Sequence, residues 1–306
     1  DIRHLTWLDD DLLNDRKRAL ELFNGITQLN LDITWDASNG LIAAAITPEL
    51  MQAMVESGCV GFNLGIESGN ADILKGVKKP GTPDSFRKAK IIIDKYPAVF
   101  VKGFLIIGFP NETVRMMLDT VNLSLELGFD WYPIQLLNPL PNTEIYYQMI
   151  EQGLIQDNLQ TSNVAYVFGP HGKQRLREQR EKLNAAEFFD LFNIDDIDAV
   201  PPQGELGDYW FLVDYKINYE IILRLTDPVK INKKRTMLED VAHRIAPENP
   251  MAHLFYGITE CISGNSEVAR TCAVNAKRLL NESVYWEKRF DALDLHSLLD
   301  DLDNKG

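Results

Sequence analysis

The sequence predicts an α/β fold, a parallel right-handed wind of five strand-turn-helix units followed by a mostly α-helical C-terminal region. Three observations predict it. Val99, Phe100, Val101, Phe104, Leu105, Ile106 and Ile107 form a nearly unbroken apolar run, the pattern of a strand covered on both faces. Five such runs each close on a polar turn at the carboxyl end. Helix-forming segments lie between them, as a parallel sheet requires, because each crossover must carry the chain back to the strand's starting end.

The units follow in order. Ile2 to Leu8 precedes Asp9-Asp10-Asp11, and Leu31 to Trp35 precedes the polar stretch Asp36-Ala37-Ser38-Asn39-Gly40. Pro48 to Glu56 reads as a helix, and Val60 to Ile66 as a short strand ending in Glu67-Ser68-Gly69-Asn70. Asp84 to Lys95 is the next helix, and the apolar run from Val99 then stops at Gly108-Phe109-Pro110. Asn111, Glu112 and Thr113 are helix-capping residue types placed just before Val114. Phe129 to Leu137 is the fifth strand, closing at Asn138-Pro139-Leu140-Pro141-Asn142-Thr143. In parallel α/β folds ligands sit outside the carboxyl ends of the strands, so all five polar turns fall where a cofactor would lie.

Taken together, Gly65-Ile66-Glu67-Ser68-Gly69-Asn70, Leu74 and Lys75, Lys78 and Lys79, Gly103 through Thr113, and Pro139 through Tyr146 resemble the core of the radical S-adenosylmethionine superfamily, in its branch that often carries a cobalamin-binding domain. The resemblance covers residues 1 to 155 and implies strands two to six of a partial (β/α)6 barrel. It implies that Asp9, Asp10 and Asp11 face the methionyl amine, and that Glu67 and Ser68 contact the ribose. Lys102 would answer the methionyl carboxylate, Gly103, Ile106 and Gly108 would pack against adenine, and Asn138 would lie near the adenine and the substrate opening. The bland alternatives are an acidic turn for Asp9 to Asp11, a capping pair for Glu67 and Ser68, and a snorkelling side chain for Lys102. A further reading takes Asp9 and Asp11 as a metal-binding acid pair of a sugar-nucleotide transferase.

The family's three-cysteine loop, Cys-x3-Cys-x2-Cys, has no counterpart among Cys59, Cys261 and Cys272, whose separations are far too wide to crowd one cluster. Each reads as a buried small residue. The sequence opens at Asp1 inside what matches the second strand, so the expectation is a truncated chain, inactive alone, whose cluster loop lies upstream. For the parent, the resemblance implies S-adenosylmethionine, a [4Fe-4S] cluster and, where a cobalamin domain is present, cobalamin. It also implies an electron donor such as flavodoxin or ferredoxin, reductive cleavage to a 5'-deoxyadenosyl radical, and hydrogen abstraction from, or methylation of, a small-molecule or peptide substrate. The alternative is a cluster-free barrel and helical scaffold.

Composition agrees with a folded chain of one or two domains, 306 residues at 45% apolar content. With 31 basic against 45 acidic residues the net charge is -14, which disfavours nonspecific binding to nucleic acid or anionic lipid. No apolar run reaches the roughly 18 residues of a membrane span, and three unpatterned cysteines suit a reducing cytoplasm.

Beyond residue 155 the pattern changes, and the expected divisions are a core over 1–155, an accessory region over 156–235 and a helical domain over 236–306. Lys173 to Lys182 reads as a solvated helix face, Val200-Pro201-Pro202-Gln203-Gly204 as a hinge. Tyr209, Trp210, Phe211, Tyr215 and Tyr219 read as one packed helix face or a substrate wall. Gly257, Gly264, Ala269 and Ala276 occupy the small-residue positions of a tetratricopeptide-like hairpin, an alternative to a generic two-helix cap and a candidate groove for a partner protein. His243, His253 and His296 read as surface or packing residues, lacking partners at metal-site spacing.

Overall fold

The computed structural model describes residues 2–9, 11–155, 197–202 and 204–305. The Lys173 to Lys182 stretch therefore lies outside the described residues. Five strands form one parallel sheet in the sequential order β1 (His4–Trp7), β2 (Thr34–Leu41), β3 (Cys59–Glu67), β4 (Phe100–Ile107) and β5 (Ile134–Leu136). Sequential order with right-handed crossovers puts every connecting helix on the same side, so the sheet curls into a half-barrel with an inner concave face.

The connecting helices are α1 (Arg16–Gln28), α2 (Pro48–Glu56), α3 (Ala71–Gly76), α4 (Pro83–Ile93) and α5 (Val114–Leu127). Each starts on a side-chain cap that the sequence supplies. Asp15, Thr47, Asn70, Thr82 and Thr113 accept from backbone N–H groups of the first turn, and Pro48 and Pro83 open their helices with no lost donor. Gly128, in the left-handed region at φ 52°, ends α5.

Two strands differ from their sequence expectation. β2 runs on through Asp36-Ala37-Ser38-Asn39-Gly40 to Leu41, where a polar turn is expected. β1 pairs the chain as far as Ala37 and β3 takes it up again at Gly40 and Leu41, with two register shifts against β3, one of which absorbs Ser38 and Asn39. β5 is shorter than Phe129 to Leu137. Tyr132, fully buried, donates its hydroxyl to Ser124 O and accepts from Phe129 N, which hooks the start of the segment to the end of α5.

The chain divides into two compact units, one of residues 1–137 and 196–218 and the other of residues 138–195 and 219–306. In the first, a returning segment closes the sheet's edge. Trp210 of α7 (Leu206–Asp214) donates to Ile134 O, and the Asn218 amide both accepts from Tyr132 N and donates to Tyr132 O, as a neighbouring strand would. Tyr209, Phe211 and Tyr215 are buried there as packing residues. The second unit holds α6 (Glu144–Glu151), α8 (Pro228–Asp240), α9 (Pro250–Ile262), α10 (Ser266–Asn281), α11 (Val284–Ala292) and α12 (Leu295–Lys305). α9 and α10 form a hairpin in which a β-carbon at Gly257 would stand 2.9 Å from Cys272 Cβ, so glycine permits the close approach. Gly264, at φ 86°, instead makes the turn between them. No helix among the described residues is long and apolar enough to cross a membrane.

Candidate functional site

Alternation along the strands separates the two faces of the sheet. On β4, Val101, Gly103, Leu105 and Ile107 are buried beneath the helices, while Phe100, Lys102, Phe104 and Ile106 are half-buried on the concave side. β3 repeats this, with Phe62, Leu64 and Ile66 covered and Asn63 and Gly65 on the concave side. Register sets Asn63 beside Lys102, Gly65 beside Phe104, and Ile106 beside Gln135 of β5. The concave face is thus polar toward its middle and apolar toward its carboxyl rim.

At that rim β3 ends on an irregularity. The register slips between Gly65 and Glu67, and Glu67 adopts φ 63°, a left-handed conformation that costs a non-glycine residue about 1–2 kcal/mol. The twist swings the carboxylate back over Gly65, where a β-carbon would lie 3.4 Å from Glu67 Oε1. Lys79 donates to the same oxygen at 2.6 Å, and Glu67 retains 9% exposure. The next three residues turn the other way. Ser68 is fully buried and shares a hydrogen bond with Thr120 of α5, Gly69 donates to the same hydroxyl, and Asn70 caps α3 and donates to Asp119. A β-carbon at Gly69 would stand 2.5 Å from Asp119 O. Of this motif only Glu67 serves the concave face; Ser68, expected beside it on the ribose, docks the loop onto α5.

β4 ends differently. Gly108 takes φ 87°, and Glu112 folds back so that its Oε2 accepts from Gly108 N at 2.6 Å and Phe109 N at 3.1 Å. Thr113 already fills the cap position of α5, which frees Glu112 for this role. The carboxyl is completely buried, its Oε1 makes no hydrogen bond, and burial pushes its pKa up to about 7 against the opposing pull of the two N–H groups. Reading Glu112 only as a capping residue misses this brace. The legible signal was the adjacent threonine, since one helix needs one cap.

The remaining candidates separate. Asp9 accepts from Arg18 and from Asp11 N, and the guanidinium holds its carboxyl below the usual range. That is an acidic turn pinned to α1, whereas Asp11 keeps a buried carboxylate oxygen without a hydrogen bond. Asp10 lies outside the described residues. Lys102 is on the concave face but mid-strand, about 13 Å along β4 from Ile106 at 3.3 Å per residue. Gly103 faces the helix side, where a β-carbon would meet Ile66 and Tyr132 within 2.9 Å, so its smallness makes room for Tyr132 rather than for a base on the concave side. Gly108 is similarly close to Leu206, and its N–H is held by Glu112. Ile106 stands on the concave face at the rim. Asn138 is exposed and belongs to the second unit. The site therefore gathers Glu67, Gly65, Phe104 and Ile106 on two adjacent strand ends.

The chain is similar to methyltransferases. Over 154 residues, 50% of this chain and 33% of the relative, it is 30% identical to an uncharacterised methyltransferase of Pyrococcus horikoshii. Over 206 residues, 64% of this chain and 38% of the relative, it is 29% identical to the cytidylyl-2-hydroxyethylphosphonate methyltransferase of Streptomyces wedmorensis. Among solved structures, the radical S-adenosylmethionine methyltransferase TsrM of Kitasatospora setae, with cobalamin and a [4Fe-4S] cluster bound, aligns with a TM-score of 0.45 and 12% identity over 88% of this chain and 51% of its own. No family model matches. The chain spans between a third and two fifths of the length of these curated relatives.

Proposed function

We propose that this chain is the S-adenosylmethionine-binding core of a radical methyltransferase whose whole protein also binds a [4Fe-4S] cluster and cobalamin. The observation that carries the reading is the bulge at Glu67. Strain at that residue holds a carboxylate over a glycine at the mouth of a parallel half-barrel, where it can accept from the two hydroxyls of a ribose. Phe104 and Ile106, on the next strand, offer the apolar surface on which a base would lie. Methyl transfer is supported by the names of the relatives, and the cobalamin and cluster by the motif resemblance.

The residues fit the nucleoside half of the cofactor and do not fit the cluster. Cys59 and Cys272 are buried, and desolvation pushes both thiols up to about 12, the opposite of the deprotonated, accessible sulfur a cluster needs. Cys261, partly exposed, is a single ligand on α9. On this reading the cluster ligands belong to residues outside this chain, and the chain's own part is to bind and orient the adenosyl group. Its affinity is weak, because the methionyl end has no chelating iron here.

Equilibrium dialysis of the chain against S-adenosylmethionine, with Glu67→Gln alongside, tests the reading. Weak saturable binding that the variant loses is the expected result. Wild-type binding that Glu67→Gln leaves unchanged, or no binding at millimolar ligand, would overturn it in favour of a scaffold.

A further inference from the structure

In the second unit, three side chains from two helices converge on one point. Glu287 and Asp291 stand four residues apart on α11 and therefore share a face. Asp294, in the left-handed region at φ 51°, reverses the chain, and His296 follows in the first turn of α12. His296 Nε2 lies 3.1 Å from Asp291 Oδ1 and 3.7 Å from Glu287 Oε1, and one ligand atom from each residue falls within 4.8 Å of the others. The ring is steadied edge-on against the fully buried Phe290, 5.7 Å between centroids.

The contact lacks the geometry of a hydrogen-bonded ion pair. Nε2 is buried, yet it makes no hydrogen bond to either carboxylate despite the short distance. A cation between the three groups would give that nitrogen the partner it lacks. Ligands held at about 2.1 Å around a tetrahedral ion stand roughly 3.4 Å apart, and 3.1 and 3.7 Å bracket that spacing. One imidazole and two carboxylates suit a borderline divalent ion, and a chain of net charge -14 draws cations toward itself.

We infer that Glu287, Asp291 and His296 form a zinc-class divalent metal site that ties α11 to α12. The three side chains are 48%, 67% and 37% exposed, so water completes the coordination sphere and the ion exchanges with solvent. Sequence spacing hid the site because its third ligand lies across a turn, in the next helix.

The test is calorimetric titration of zinc chloride into the full chain after treatment with chelator, with His296→Gln, Asp291→Asn and, as a control, His243→Gln. Saturable one-to-one binding is expected, weakened about tenfold or more by each of the first two substitutions and unchanged by the third. All three side chains are partly exposed, so the variants should fold, and the chelated proteins' melting temperatures verify this. Failure of the wild type to bind, or binding indifferent to His296→Gln and Asp291→Asn, would overturn the site. Neither outcome depends on S-adenosylmethionine, so this inference and the functional proposal fail separately.

Discussion

Two neighbouring strands of the half-barrel each end on a glutamate a few residues from a glycine, and the two carboxylates do opposite things. Glu67, at the end of β3, is swung onto the concave face by a strained backbone and meets a lysine. Glu112, after β4, folds inward, is cut off from water and braces the turn through two backbone N–H groups. The residue type is the same and both lie at the carboxyl end of the sheet. Burial is complete for Glu112 and leaves Glu67 9% exposed at the rim, so Glu112 is part of the frame and only Glu67 is open to a ligand.

The comparison breaks most readily at Glu112. Glu112→Ala strands two buried N–H donors and leaves a cavity, and should cost about 2–4 kcal/mol in urea unfolding. Its titration gives the next effect. Because the folded pKa, about 7, is above the ordinary carboxyl value of 4.5, the fold favours the protonated acid. Stability from this group is full below pH 4.5 and is lost as pH rises toward and through 7, by up to about 3 kcal/mol. Glu112→Gln should flatten that part of a stability-versus-pH curve.

Glu67→Gln should leave the unfolding midpoint almost unmoved, since the Lys79 pair is partly exposed, yet remove about 1.5–3 kcal/mol of nucleoside binding in the dialysis experiment. A stability loss as large as that of Glu112→Ala would erase the distinction between the two carboxylates. The smallest effect belongs to Ser68→Ala, about 1 kcal/mol of stability with binding unchanged. Loss of binding there would return Ser68 to the ligand.

Much of the architecture was legible because periodicity and caps are local. The α2 helix runs from Pro48 to Glu56 as its proline and threonine signals require, and the apolar run of β4 reads directly as a covered strand. Asp36 to Gly40 was not legible as strand. Its polar residues resemble a turn in one dimension, and pairing with β3 on either side of the Ser38-Asn39 irregularity, with β1 added as far as Ala37, keeps the strand going. The packing roles of Ser68 and Gly103 were hidden for a related reason. Sequence shows that they flank a strand end, while the face each occupies depends on a bulge and on Tyr132 arriving from behind.

By itself the sequence determined the parallel wind, its direction and all but one of the polar turns at one end, because hydrophobic period and capping chemistry act over a few residues. Tertiary structure alone decided which of two glutamates stays with water, which glycine makes room for a side chain, and that a histidine meets two acids across a helix turn. Those outcomes rest on desolvation and on contacts between distant segments, which no local pattern encodes.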